Sequence, residues 1–146
     1  MKNQQMNLAH ILLVEDNEGD ILLTQEVFEE CKVKTEFSVA KNGKDALDFL
    51  FKRGQYSNVR KPDLILLDIN IPIFNGHEVL RQIKNDPILK KIPVVMLTTS
   101  SNQKDLHDAY EQHCNSYIQK PLEISEFLVV VTKIEEFWLQ LTTLAR

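Results

Sequence analysis

Short apolar runs without polar alternation are the feature of this chain that most constrains its fold. Residues 11–14, 64–67 and 94–97 consist only of Ile, Leu, Val and Met. A strand covered on both faces of a parallel sheet has this composition, whereas a strand with one solvated face alternates apolar and polar residues. Shorter or more mixed strand-like runs occupy residues 35–39 and 117–118. The sequence therefore predicts five strands, with at least three of them inside a sheet.

Helical patterns separate and follow these runs. The predicted helices are residues 18–31, 44–51, 77–84, 103–113 and 124–144, with Asn17 as the cap of the first. Strand–helix alternation repeated five times implies a parallel sheet with helices on both faces. Right-handed crossovers and the size of the chain favour the flavodoxin-like strand order 2-1-3-4-5. We predict a doubly wound α/β fold in one domain over residues 1–146, with its core at about 8–140 and no output domain.

Composition limits the class of protein. A chain of 146 residues with 43% hydrophobic residues can bury one domain-sized core. A net charge of −4 argues against nucleic acid as a partner, because that needs a clustered basic face. The apolar stretch after the polar N-terminus is too short for a signal peptide or a membrane span. We predict a cytoplasmic protein that binds neither nucleic acid nor membrane.

Cysteine and histidine positions predict neither a zinc site nor a disulfide framework. Cys31 and Cys114 lack C-x-x-C spacing, which favours free thiols in a reducing compartment. The four histidines, at positions 10, 77, 107 and 113, do not have the spacing of a metal-binding set. Each is expected at the surface or at a strand edge.

Acidic residues follow two of the buried runs. Glu15 and Asp16 come directly after the first run, and Asp68 follows the third strand. In the order 2-1-3-4-5 these strands are neighbours, and ligands bind beyond the carboxyl ends of such strands. Three like charges in one pocket repel one another unless a cation lies between them. Mg²⁺ suits this set, since it takes oxygen ligands from one or two carboxylates, and the pocket indicates phosphate chemistry on a carboxylate.

Residues at four separate strand ends carry a family resemblance. They are Glu15-Asp16, Asp68-Ile69-Asn70-Ile71-Pro72 with Asn75-Gly76, Thr98, and Lys120-Pro121. Together they make the chain similar to the receiver domains (CheY-like) of two-component signalling. Each motif alone would be a weak indication, but all four strand ends supply the expected residue.

The resemblance implies a role for each residue of the pocket. Asp68 is the implied phosphoacceptor, whose carboxylate attacks a phosphoryl group to give an acyl phosphate. Asp16, Asp68 and the backbone carbonyl of Asn70 are the implied Mg²⁺ ligands, and Glu15 reaches the ion through water. Glutamate is one methylene longer than the commoner aspartate, so direct ligation by Glu15 stays open.

Three further residues acquire roles from the resemblance. Lys120 would pair with the phosphoryl oxygens and neutralise their developing charge. Thr98 would offer its hydroxyl to a phosphoryl oxygen, and Tyr117 would be the aromatic switch that changes rotamer. An ordinary strand aromatic is the alternative for Tyr117.

The implied function is that of a stand-alone response regulator, a signalling protein that assists its own phosphotransfer and dephosphorylation without being an enzyme. It would accept a phosphoryl group on Asp68 from a sensor histidine kinase or a phosphotransfer protein, with Mg²⁺ as cofactor. The alternatives are an interaction module that works without phosphorylation and a phosphatase that forms an aspartyl phosphate. Such phosphatases usually carry a second Asp two residues after the nucleophile, where this chain has Asn70.

Within receivers, three segments resemble the small regulators paired with phytochrome-type histidine kinases. They are residues 49–63, 115–118 and 137–139. A phytochrome-type kinase is therefore the expected phosphodonor, and kinases with other sensors stay open as partners.

The predicted last helix carries more apolar surface than one core contact requires. Two stripes run along it, Ile124, Phe127, Leu128, Val131 and Trp138 in one and Val130, Ile134, Phe137, Leu141 and Leu144 in the other. Their combined arc is close to twice the roughly 100° of a single packed face. We predict a homodimer through the fourth helix, fifth strand and fifth helix, with Val130, Ile134, Phe137 and Leu141 in the interface. An overlong helix that covers its own core is the alternative.

Replacing Phe137 tests the predicted dimer. Phe137→Glu should shift the protein towards monomer in sedimentation velocity, because a charge in the apolar centre of an interface is left without a partner. The wild type and the variant are compared with and without a phosphate mimic. A monomer under every condition, with no difference between the two proteins, would show that the second stripe is covered within the chain.

Overall fold

Five strands and three α-helices are described in a computed structural model that covers residues 9–29, 35–98 and 116–119. The strands are β1 (Ala9–Val14), β2 (Thr35–Ala40), β3 (Leu64–Asp68), β4 (Val94–Thr98) and β5 (Ser116–Gln119). The helices are α1 (Glu18–Glu29), α2 (Gly43–Leu50) and α3 (Gly76–Lys84). Short 3₁₀ turns lie at Gly54–Tyr56 and Leu89–Lys91.

The sheet has the order β2-β1-β3-β4-β5, and every neighbouring pair is parallel. The predicted α/β fold and strand order are therefore confirmed. The predicted helices at residues 103–113 and 124–144, with the proposed interface residues, lie outside the described residues. Within the described ranges, no helix is long and apolar enough to cross a membrane.

Each interior strand contributes to two cores, one on each face of the sheet. Leu12 and Val14 of β1 belong to the cluster that also contains buried residues of α2 and α3. Ile11 and Leu13 of the same strand belong to the cluster that contains Ile21 of α1. Every residue of β1 and β3 is buried. Burial of a Leu or Ile side chain contributes about 1.5–3 kcal/mol, so neither strand can accept a polar residue on either face without a partner for it.

An asparagine side chain caps the N-terminus of each of the three described helices. The side-chain oxygens of Asn17, Asn42 and Asn75 each accept a backbone N–H three residues on, at 2.9, 2.7 and 3.0 Å. An N-cap of this kind satisfies one of the donors that a first helical turn leaves unpaired. The cap predicted at Asn17 is confirmed. The helices start close to the carboxyl ends of the preceding strands, which brings their N-termini to one edge of the sheet.

The surface or strand-edge position expected for His10 is wrong. This residue lies in β1, an interior strand, and only 1% of its surface is exposed. Its Nε2 is 2.8 Å from the hydroxyl oxygen of Ser38 on β2. Its backbone N–H donates to the Asp63 carboxylate at 2.9 Å, and its carbonyl accepts the Asp63 N–H at 2.7 Å. The histidine therefore belongs to the core, at the end of the sheet opposite the acidic residues.

Gly43, the first residue of α2, lies directly against the loop that follows β3. Its N–H donates to the carbonyl of Pro72 at 3.1 Å. A Cβ at this position would lie 2.0 Å from the carbonyl oxygen of Phe74 and 2.7 Å from its Cβ. Real atoms do not approach so closely, so any side chain at residue 43 would displace the loop from α2.

Gly43→Ala should therefore lower the free energy of unfolding by roughly 1–3 kcal/mol, the usual cost of an overpacked position. Urea unfolding followed by circular dichroism measures the change. Gly19→Ala in α1 is the matched control, because its Cβ would meet only the side chain of Asn17 at 3.3 Å. The control should lose much less stability, since the exposed side chain of Asn17 can move by a few tenths of an ångström. Equal losses in the two variants would contradict the close contact at Gly43.

Candidate metal and phosphoacceptor site

Two adjacent strand ends bring three carboxylates together. Val14 of β1 pairs with Leu67 of β3, so the residues that follow them, Glu15 and Asp68, lie beside each other. One carboxylate oxygen from each of Glu15, Asp16 and Asp68 lies within 4.8 Å of the other two. The parallel register thus produces the pocket at the carboxyl edge of the sheet.

The three carboxylates differ in their exposure. Glu15 and Asp68 are 1% and 4% exposed, whereas Asp16 is exposed to solvent. Buried carboxylates this close to one another destabilise the folded chain unless positive charge compensates them. Oxygen ligands at this spacing, with one open side, fit a small divalent cation that keeps some of its water. The donor set therefore suits Mg²⁺.

The backbone holds the two buried carboxylates in place. The N–H of Glu15 donates to the carbonyl of Ala40 at 2.9 Å, which ties this residue to the end of β2. The N–H of Asn17 donates to Oε2 of Glu15 at 3.2 Å. The N–H of Asn70 donates to Oδ1 of Asp68 at 3.2 Å. Each carboxylate is thus oriented by an amide two residues further along its own chain segment.

The loop after Asp68 leaves the sheet and returns to the same point. Gly76, the first residue of α3, donates its N–H to the carbonyl of Ile69 at 2.8 Å. A Cβ on Gly76 would lie 2.5 Å from the carbonyl oxygen of Asp68. The Asn75-Gly76 pair therefore has two functions, since Asn75 caps α3 and Gly76 allows the helix to begin against the main chain of Asp68.

Sequence reasoning missed the contacts that connect the β2–α2 turn to this pocket. Lys41, directly after β2, forms an ion pair with Glu18 at the start of α1. Gly43, two residues later, contacts the loop after β3. The Asn42-Gly43 pair is typical of a turn, but the residues that the turn contacts depend on the sheet order. An exposed lysine gives no signal in a sequence for the carboxylate it will pair with.

The remaining predicted site residues are only partly described. Thr98 is the last residue of β4, and the preceding residue, Leu97, pairs with Asp68. The main chain of Thr98 therefore lies at the same edge of the sheet as the acidic cluster. Thr98 pairs with Gln119 of β5, and Tyr117 pairs with Met96. Lys120 and the side chains of Thr98 and Tyr117 lie outside the described residues.

A parallel five-stranded sheet with an acidic cluster at the carboxyl edge is the architecture of a receiver. Residues 11–132 match the family described as the response regulator receiver domain. The chain belongs to this family, whose members act in signal transduction. The resemblance drawn from the four strand ends is thus confirmed.

Individual relatives indicate which type of receiver this chain is. The chain is 45% identical over 134 residues to the response regulator Rcp1 of Synechocystis sp., covering 92% of this chain and 91% of the relative. The crystal structure of the phosphorylated cyanobacterial phytochrome response regulator RcpA superposes with a TM-score of 0.84, at 46% identity over 90% of this chain and 94% of the other. The Mn²⁺-bound form of Rcp1 gives a TM-score of 0.82 at 44% identity, covering 89% and 94%. The chain is thus a receiver of the phytochrome response regulator type.

Asp16→Ala should weaken Mg²⁺ binding by about fivefold or more. One formal charge near 4 Å contributes roughly 1–4 kcal/mol, depending on the local dielectric, and the variant removes it. Isothermal titration of the unphosphorylated protein with MgCl₂ measures the affinity.

Asp20→Ala is the matched control, because it removes the same charge from the first turn of α1 and Asp20 is not one of the three clustered carboxylates. This control should bind Mg²⁺ nearly as the wild type does. If Asp16→Ala binds like the wild type while Glu15→Ala does not, the ligand roles of the two residues are reversed.

Proposed function

We propose that this chain is a phosphoacceptor response regulator, which takes a phosphoryl group onto Asp68 from the phosphohistidine of a sensor kinase or of a phosphotransfer protein. The observation that carries the proposal is the acidic cluster of Glu15, Asp16 and Asp68 at the ends of β1 and β3. Membership of the receiver family supports the same chemistry.

Asp68 is the proposed nucleophile. A carboxylate oxygen of Asp68 forms a bond to phosphorus as the bond from phosphorus to the histidine nitrogen of the donor breaks, which leaves an acyl phosphate. In such a transfer the protein mainly positions the reactants and balances charge. The N–H of Asn70 on Oδ1 fixes the orientation of the carboxylate before the donor arrives.

Asp16, Asp68 and the backbone carbonyl of Asn70 would hold Mg²⁺, with Glu15 joined to it through water. When bound, the ion would supply positive charge that offsets the charge of the phosphoryl oxygens. Glu15 is held by Ala40 and Asn17, so it contributes fixed negative charge to the pocket. Asp16 is the exposed member of the cluster. It therefore lies on the solvent side of the pocket, from which a phosphoryl group would enter.

Three residues complete the proposed site on the strength of family membership. Lys120 would pair with the phosphoryl oxygens, and the Thr98 hydroxyl would bind one of them. Tyr117 would change rotamer when Thr98 moves inward. The pairing of Leu97 with Asp68 supports the proposed role of Thr98, because it brings the end of β4 beside the phosphoacceptor.

A phytochrome-type histidine kinase is the proposed source of the phosphoryl group. The similarity to Rcp1 and to the cyanobacterial phytochrome response regulator RcpA supports this pairing. The cytoplasmic location, the homodimer and the extent of a single domain over residues 1–146 stay predictions from the sequence.

Asp68→Asn should abolish phosphorylation while the fold is kept, because the swap is nearly isosteric. The protein is mixed with Mg²⁺ and phosphoramidate, and its intact mass is followed for the gain of one phosphoryl group. The variant should also melt at or above the wild-type temperature without Mg²⁺, since it removes one of the charges that repel one another in the pocket.

Asp86→Asn is the control for this experiment. Asp86 accepts the backbone N–H groups of Ile88 and Leu89 in the connection before β4, at the opposite edge of the sheet. This variant should be phosphorylated at the wild-type rate. Full phosphorylation of Asp68→Asn would remove Asp68 from the proposed role.

A further inference from the structure

Asparagine is followed by glycine at two points of the chain, Asn42-Gly43 and Asn75-Gly76. In such a dipeptide the backbone nitrogen of glycine can attack the side-chain carbonyl carbon of asparagine, because glycine has no Cβ to shield its nitrogen. The new C–N bond closes a succinimide ring, and the side-chain amide leaves as ammonia. Water then opens the ring at either of its carbonyls, which gives aspartate or isoaspartate.

The fold opposes this reaction at both dipeptides. The backbone of each asparagine is extended, with ψ of 168° at Asn42 and 174° at Asn75, and a five-membered ring needs ψ rotated away from this conformation. Each glycine N–H also donates to a carbonyl oxygen, at 3.1 Å for Gly43 and 2.8 Å for Gly76. Ring closure must therefore pass through a locally opened state, and its rate follows the population of that state.

The two asparagine side chains are held to different extents. The Asn42 side chain makes two hydrogen bonds with Asp45, since its Oδ1 accepts the backbone N–H at 2.7 Å and its Nδ2 donates to Oδ2 at 3.1 Å. Within the described residues, the Asn75 side chain makes one, in which its Oδ1 accepts the backbone N–H of Glu78 at 3.0 Å. Asn42 is half-buried, whereas Asn75 is exposed to solvent. The Asn75 side chain is therefore released more readily.

The two products differ in their effect on the start of α3. Aspartate at residue 75 would keep the cap, because Asp and Asn are equally good N-cap residues. Isoaspartate instead carries the main chain through its Cβ, which inserts one extra carbon ahead of Gly76. Gly76 has little room to move, since a Cβ on it would lie 2.5 Å from the carbonyl oxygen of Asp68. The extra carbon would therefore displace the start of α3 from the main chain of Asp68.

We propose that Asn75 is a deamidation site of the folded protein, and that the isoaspartate formed there disables the pocket around Asp68. Asn42, in the same dipeptide, is protected by its second hydrogen bond and by burial. The effect on the pocket rests on the proposed function of Asp68, whereas the formation of the product does not.

Ageing of the full chain at mildly alkaline pH tests the proposal. Wild type, Asn75→Ser and Asn42→Ser are incubated in the folded state, and wild type is also incubated in guanidinium chloride as the unfolded reference. Serine keeps a capping oxygen but has no amide to lose, so each variant closes one route. Peptide mass spectrometry follows the replacement of each amide by a carboxylate, and fragmentation separates isoaspartate from aspartate.

In the folded wild type, Asn75 should be converted about 2- to 12-fold faster than Asn42, the factor expected from one further hydrogen bond. In the unfolded reference the two dipeptides should react at similar rates, because both caps are lost. Phosphorylation by phosphoramidate with Mg²⁺ is then compared between aged and fresh samples of each protein. The aged wild type should lose phosphorylation in proportion to the isoaspartate at residue 75, and Asn75→Ser should lose less on ageing than Asn42→Ser.

Conversion of Asn42 as fast as Asn75 in the folded protein would overturn the proposal, as would an intact Asn75 once the unfolded reference has reacted. Full phosphorylation of an aged sample rich in isoaspartate at residue 75 would overturn the effect on the pocket. A fresh wild type that phosphoramidate does not modify would reject the proposed role of Asp68, and the two deamidation rates would still decide whether Asn75 is the site.

Discussion

Repulsion between the carboxylates of Glu15 and Asp68 is the constraint on which the rest of this edge of the molecule depends. Their strands are adjacent and in register, and both side chains are almost fully buried. The core fixes that register, because shifting β1 by one residue would exchange the side chains that contact α1 with those that contact α2 and α3. The apolar packing therefore keeps together two charges that would otherwise separate.

Helix N-termini supply part of the compensation for this charge. α1, α2 and α3 all begin at the carboxyl edge of the sheet, each behind an asparagine cap. The N-terminus of a helix carries partial positive charge, which stabilises nearby anions by roughly 0.3–1 kcal/mol each. A cation held in the pocket and the helix ends would act in the same direction, and both would favour an incoming anionic group such as a phosphoryl group.

The amino-acid sequence is sufficient to predict the features that local pattern and strand direction determine. Interior strands lack polar alternation, and the polar ends of parallel strands share an edge, so the order of residues alone groups Glu15, Asp16 and Asp68. The burial of His10 could not be predicted, because one polar residue in an apolar strand gives no indication of its partners. The left-handed φ of Ile73 could not be predicted either, because the backbone preference of a β-branched residue argues against it.

The contact between Gly43 and the β3–α3 loop also limits which substitutions can be accepted during evolution. A substitution at residue 43 can be accepted only together with a change in the loop that moves Phe74 away, since the two main chains leave no space for a Cβ. Residue 43 and the loop at Phe74 are therefore expected to change together during evolution, because either change alone would give a less stable protein. A chain that keeps glycine at residue 43 can vary the exposed side chains of this loop at little cost to the fold.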